Sequence, residues 1–257
     1  MTLSITYHEL QQAIGRYLGY GRIYGPDNGS AEWADIEDCI KSGLRQFYAP
    51  PPVENSNASH HWSFLRPVTA LLLTNGVADY DMPGDFGGVN GLLTYPEWTA
   101  SKPVIITSES DIRRLRQLRP QTGKPTHAAI RPKASDGTTA QMFEMTLWPI
   151  PDAEIELTYR YYVLPEALSG ENPYPYGGAA HSETILESCL SIAEQRLNDQ
   201  KGIHWEKFLQ RLTASIQIDT KTTGADFLGY NADRSDSTVI STHNRFDTVT
   251  VNGQIIG

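Results

Sequence analysis

The ten residues Asp79 to Gly88, DYDMPGDFGG, hold the densest set of groups that could do chemistry. Asp79, Asp81 and Asp85 lie within seven residues, and Asp85-Phe86-Gly87 is the tripeptide that holds magnesium in protein kinases. That aspartate works only with a Gly-rich phosphate loop, a strand lysine and an H-R-D loop. The chain has no G-x-G-x-x-G and no H-R-D. Asp79 and Asp81 alternate with Tyr80 and Met82, as on the solvent side of a half-buried strand. Pro83 lacks an N–H and ends pairing, and Gly87 and Gly88 supply turn conformations. The stretch reads as a strand end and a loop rather than a metal triplet.

Other reactive types give as little. No two of the seven histidines have the i, i+4 spacing of a helical zinc site, and no H-E-x-x-H or C-x-x-C occurs. His60 and His61 are adjacent in a polar connector, where extended neighbours point apart, so they read as plain loop. The G-x-S-x-G elbow is absent. A carboxylate pair for glycoside hydrolysis can come from distant positions, and nothing marks one. Arg113, Arg114 and Arg116, with Arg119, Arg131 and Lys133, form the one dense basic cluster. It is a candidate electrostatic interface, either a phosphate patch or a salt-bridging face, against the plainer reading of a solvated helix face. Pro173-Tyr174-Pro175-Tyr176-Gly177-Gly178 is either an aromatic ligand platform or a rigid loop packing its tyrosines inward. No catalytic residue, metal or cofactor is expected.

Composition agrees with a non-catalytic part. A chain of 257 residues with formal net charge -9 lacks the electrostatic footprint of a general DNA binder. Cys39 and Cys189 fall in helical patterns and read as small buried hydrophobes in a reducing compartment. Residues 1 to 20 carry His8, Glu9 and Arg16 without an apolar block, and the longest apolar run is too short to span a bilayer. The expectation is a soluble protein made in the cytoplasm.

The elements that would position these groups come in separate runs. Thr6-Tyr7-His8-Glu9 fits a capping box, and Tyr7, Leu10, Ile14, Tyr17 and Leu18 mark one helical face that ends at Gly19-Tyr20-Gly21. After a turn at Pro26 to Gly29, Ser30 is placed to cap a second helix with a stripe of Trp33, Ile36, Ile40, Leu44 and Phe47. Pro50, Pro51 and Pro52 stop it. Strands are predicted over 67–74 and 77–82, joined as a hairpin by Asn75-Gly76, then over 92–95 and 103–107. Ser108 precedes a helix over 109–118. Strands over 126–132 and 139–148 flank Asp136-Gly137, and 155–163 alternates cleanly. Ile185, Cys189, Ile192, Ala193 and Leu197 mark a helix from about 182. Trp205, Phe208, Leu209, Leu212 and Ile216 mark another, with Gly202 as a turn or a kink. Beyond Gly224, Phe227, Leu228, Tyr230, Ile240 and Phe246 are scattered among polar residues, and TVTVNGQIIG has strand propensity about an Asn-Gly turn.

Segregated runs predict an α+β fold: a helical bundle from the N- and C-terminal helices, an inserted β-rich, sandwich- or barrel-like domain, and an extended C-terminal arm. The expected divisions are 1–53, 54–170, 171–224 and 225–257.

A resemblance sharpens the function. His61-Trp62-Ser63-Phe64-Leu65-Arg66-Pro67, a strand, Asn75-Gly76, a second strand and Met82-Pro83-Gly84-Asp85-Phe86-Gly87-Gly88 resemble tailed-bacteriophage head-to-tail adaptor (neck or connector) proteins, similar to tail tubular protein A-like adaptors. Met82 stands where leucine is common. Gly123-Lys124-Pro125, Trp148 to Asp152 and Glu183 to Glu194 fit too, so that residues 5 to 230 are covered. The resemblance implies a structural virion protein assembled in the host cytoplasm. It implies a ring of subunits, commonly twelve, seated under the portal and above a tail or nozzle protein, with genomic DNA passing through the lumen unbound. It also implies that the C-terminal segment docks into the portal or a neighbour, through Phe227, Leu228, Tyr230, Ile240 and Phe246. Acidity suits such a channel, because phosphate contacts drive non-specific DNA affinity. The last segment could add a strand to a neighbouring sheet edge. The competing expectations are a carbohydrate-binding or carbohydrate-active tail protein and another neck component such as a tail terminator.

Overall fold

The computed structural model describes residues 3–21, 31–53, 59–96, 103–135, 137–138, 140–223, 249–251 and 254–256. The chain divides into two compact units, Met1–Asp219 and Thr220–Gly257. The predicted turn at 26–29 and the Ser30 cap lie outside the described residues.

In the first unit, helix α1 spans Tyr7–Tyr17 and starts with the predicted capping box, the Thr6 side chain accepting from Glu9 N–H while the Glu9 carboxylate accepts from Thr6 N–H. Helix α2 (Ala31–Tyr48) and helix α4 (Ser182–Asn198) pack closely. Gly43 makes that approach possible, since a Cβ there would fall 2.5 Å from Cys189 Cα. Ser188 and Ser191, fully buried, bond across or along this seam to Gly43 O and Ser188 O. Cys39 and Cys189 are both free and buried in it, and burial pushes the Cys189 thiol well up. Leu197, expected on the buried stripe, is exposed instead because it lies in the last turn before the chain reverses.

Gly202 is a turn. Helix α4 ends at Asn198, Asp199 takes a left-handed conformation (φ 54°), and helix α5 (Ile203–Thr223) runs back along α4. Thr184 and Ser215 hydroxyls meet at 2.7 Å. The buried Glu194 carboxylate accepts from His204 N–H at 3.0 Å, a negative group at the positive end of α5. It passes so near Gly202 that a Cβ there would sit 2.4 Å from it.

Among the described residues of the first unit the strands form two sheets. Strand β7 (Ile155–Val163) is the centre of the first, between β1 (Val68–Leu73) and β3 (Phe86–Val89), antiparallel to both. The second has the order β2 (Asp79–Asp81), β6 (Phe143–Trp148), β5 (His127–Pro132), β4 (Ile105–Ile106). Strands β5 and β6 are the predicted hairpin, and β4 joins β5 in parallel. Residues 92–95, expected as a strand, contribute only isolated bridges, Leu93 to Val104 and Thr94 to Thr158.

The Asn75-Gly76 hairpin is overturned. The turn exists, with Val77 N–H donating to Thr74 O and Gly76 at φ 78°, but β1 and β2 enter different sheets. The Tyr80 hydroxyl holds the corner open by bonding Thr74 N–H, Thr74 O and Val77 O, while Gly76 N–H donates to Pro151 O. Strand β7 pairs with all six residues of β1 and β6 with all three of β2, a longer ladder for β1 than three-residue β2 could offer. The Asp85 to Gly88 loop is also corrected. Phe86–Val89 is strand β3, with a register shift that its glycines permit. Gly87 is needed there because a Cβ would meet Tyr162 O at 2.9 Å.

Inward residues of both sheets share one buried cluster with the helices, including Leu73, Phe86, Met145, Leu157, Ile36 and Ile185. Helix α3 (Glu109–Leu118), capped by Ser108 as predicted, covers the other face of β5 and β6 through Ile112 and Leu115. That cover explains why Thr146 and Trp148 are buried despite their alternation with Met145 and Leu147. The fold is α+β. In the second unit, β8 (Val249–Val251) and β9 (Gln254–Ile256) pair as an antiparallel hairpin.

Candidate functional site

The strongest constellation of polar and aromatic groups lies around Trp62. Helix α2 ends at Tyr48 and the chain returns through His60 into a short 3-10 turn, Ser63–Leu65. This brings Trp62 back onto the last turn of α2. Trp62 is fully buried, donates Nε1–H to Phe47 O at 2.8 Å, and packs against Phe47 and Phe64 at 4.7 and 5.3 Å, with those two rings 6.4 Å from each other. The rings of His60 and His181 stand edge-on to it at 4.8 and 5.2 Å.

Asp219, 4% exposed near the end of α5, closes the cluster. Its carboxylate lies 2.8 Å from His60 Nε2 and accepts from Ser63 N–H at 3.1 Å and from the Ser63 hydroxyl at close range. Burial pushes the Asp219 carboxyl up, but the hydrogen bonds from Ser63 and His60 outweigh it and hold it below its ordinary value. Burial lowers His181 below its ordinary value, against the pull of Asp219. Its buried Nδ1 has no hydrogen-bond partner.

Serine, histidine and aspartate together invite a nucleophilic reading, and the geometry rejects it. A triad needs the imidazole between hydroxyl and carboxylate. Here the carboxylate stands between, and Ser63 gives its proton to Asp219. The cluster is a clasp that ties the start of the β-rich region to α5. His60, read as plain loop, belongs to it. The two residues are 159 positions apart, and no local pattern links them.

The three carboxylates of DYDMPGDFGG disperse. Asp79 meets Arg116 at 2.7 Å, Asp81 meets Lys133 at 2.7 Å, and Asp85 accepts from the Tyr161 hydroxyl at 3.2 Å. Among the described residues no group of three His, Cys, Asp or Glu is arranged to hold a metal ion. Asp85 instead lines a groove of about 560 Å³ with Glu166, Glu171, Tyr174 and Tyr176. The Pro173 to Gly178 loop is held there by Tyr7 N–H donating to Pro173 O and Tyr176 N–H donating to the Tyr48 hydroxyl.

The arginines split by role. Arg116 turns onto the sheet and donates to Ala78 O, Leu147 O and Asp79. Arg131 donates to Glu144 at 2.6 Å and reaches Asp79 and Glu109. Among the described residues Arg113 and Arg114 pair only along α3, with Glu109 and Asp111, and stay exposed. Phe227, Leu228, Tyr230, Ile240 and Phe246 lie outside the described residues. Among the described residues no helix is long and apolar enough to cross a membrane.

A family model described as SU10 adaptor protein matches residues 5–232. A search of curated proteins gives no match. The match takes in the Trp62 to Pro67 opening, the Asp85-Phe86 strand and both helical regions, the segments that carried the resemblance to phage adaptors. The chain therefore belongs to the SU10 adaptor protein family and is a structural adaptor of bacteriophage.

Proposed function

We propose that copies of this chain close into a ring under the portal, join the capsid to the tail and surround the channel through which DNA leaves. The observation that carries this reading is the family match over residues 5–232. The charge of -9 supports it, since an acidic ring gives passing phosphates little to hold. Phe227, Leu228, Tyr230, Ile240 and Phe246 would dock on the portal or a neighbour. Arg113 and Arg114, whose ion pairs are exposed and therefore weak, are free to exchange those partners for acidic groups on a neighbouring protein. Its place would be the virion neck, reached by assembly in the host cytoplasm. The test is electron microscopy of the purified chain alone and mixed with its portal. Closed rings are expected, and persistent monomers in both samples would overturn the reading.

A second reading, a carbohydrate-binding tail protein, is favoured by one observation. The groove lined by Asp85, Glu166 and Glu171 also presents Tyr174 and Tyr176, which pairs carboxylates with exposed aromatic faces. A glycan-binding screen with no hits would end it.

A further inference from the structure

The two sheets treat their outer edges differently. Strand β2 has three residues, two of them aspartates held by Arg116 and Lys133. A short, charged edge resists pairing with another chain. Strand β1 has six residues, Val68 to Leu73, and no charge. It is the edge of its sheet, paired only with β7 among the described residues.

The ladder shows which groups β1 leaves open. Tyr161 N–H donates to Pro67 O, and Val68 faces Arg160. Bonding alternates along an antiparallel pair, so Thr69, Leu71 and Leu73 bond to β7, while Val68, Ala70 and Leu72 turn their N–H and C=O groups outward. The far side of β7 fixes the same phase. Arg160 and Thr158, which face Val68 and Ala70, give their backbone groups to Asn90 and Thr94 instead. The side chains of Val68, Ala70 and Leu72 are exposed as well, Val68 and Leu72 by 60% and 62%. Unpaired backbone and an apolar strip coincide on the same three residues.

The C-terminal hairpin has the complementary need. Strands β8 and β9 have three residues each, and a two-stranded hairpin is marginal alone in water. The sequence Val249-Thr250-Val251 alternates as a half-buried strand does. Twenty-five residues separate Thr223 from Val249, a stretch that reaches up to about 80 Å at roughly 3.3 Å per residue.

We propose that β1 is the docking edge for the β8–β9 hairpin of a second copy of this chain, which adds to it as a further strand. The inference rests on the ring reading, and it names the receiving surface. In a head-to-tail ring each copy gives one hairpin and takes one, so closure leaves no β1 edge open.

The test mixes two differently tagged full-length chains, one carrying Leu72→Cys and the other Val251→Cys, and oxidises them after assembly with the portal. Cys39 and Cys189 are buried and stay silent. A disulfide-linked product carrying both tags is expected. It should be lost when the Leu72→Cys chain also carries Ala70→Pro, which removes an outward N–H without breaking a bond to β7. If the proline variant fails to fold, a chain carrying Ala70→Cys with Val68→Lys and Leu72→Lys is mixed with the Val251→Cys chain, and its linked product should fall well below that of Ala70→Cys alone. Rings without the mixed product overturn the inference and leave the ring standing. Linkage only between two Leu72→Cys chains also overturns it, as does a control chain carrying both Leu72→Cys and Val251→Cys that links only within itself. Chains that never assemble overturn both the inference and the ring.

Discussion

The junction around Trp62 and the outer edge of β1 are adjacent in sequence and opposite in physical character. At the junction, aromatic rings stack out of water and the buried carboxylate of Asp219 has three donors. Six residues after Trp62, the chain exposes apolar side chains and unpaired backbone together. The junction is built for the isolated fold. The edge is costly for an isolated chain and useful in an assembly. The contrast marks β1 as the edge on which the proposed docking rests, while β2, short and held by Arg116 and Lys133, is protected in the way edge strands usually are.

Substitutions can break this contrast at either end. Trp62→Ala should have the largest effect on folding, about 3–5 kcal/mol as for other buried large-to-small changes, read from the denaturant midpoint. Gly43→Ala, which forces a methyl against Cys189 Cα, should cost about 1–3 kcal/mol by overpacking, read the same way. Asp219→Asn keeps the shape but turns an amide toward the donors of Ser63, at a cost of about 1–3 kcal/mol.

Acid should act through the same junction. His181 is held below its ordinary value, so its contribution is whole above about pH 6.5 and is lost as pH falls through the depressed value. Asp219 is also lowered, so its contribution is present above about pH 3.9 and is lost as pH falls further. A urea midpoint measured against pH should therefore fall in two stages, with Asp219→Asn diminishing the lower one, to which the lowered carboxyls of Glu37, Glu109 and Asp111 also contribute. Leu72→Lys on β1 should have the smallest effect on folding, within about 0.5 kcal/mol as for other surface changes, yet abolish ring closure in electron micrographs. A large stability loss with intact rings would erase the contrast.

The elements set by local chemistry were legible. The capping box at Thr6, the Ser108 cap and the alternation of 155–163 each reappear within a residue or two. What was not legible depended on partner choice. Asn75-Gly76 is a good turn signal, but whether the flanking strands pair is decided by β6 and β7, some 70 to 80 residues later. Gly87 and Gly88 read as loop because glycine supplies turn conformations, whereas β3 uses Gly87 to approach Tyr162 O and Gly88 to take a φ of 134°. The Asp219 clasp had no signature at all. The motif residues Trp62 and Phe86 pointed to the family through a resemblance of short motifs, while their physical task is burial. The proposed docking residues from Phe227 to Phe246 lie outside what the structure describes.

The clasp has a mechanical consequence. Asp219 is the last residue of the first unit, and the chain that follows leads to the C-terminal strands. If those strands dock on another copy as proposed, a pull on them enters α5 at Thr223, about one turn beyond Asp219. The clasp bonds Asp219 to Ser63 and His60, so the pull passes sideways into the stacked rings behind them instead of peeling α5 away turn by turn. A strained connector would thus load its most deeply buried joint first.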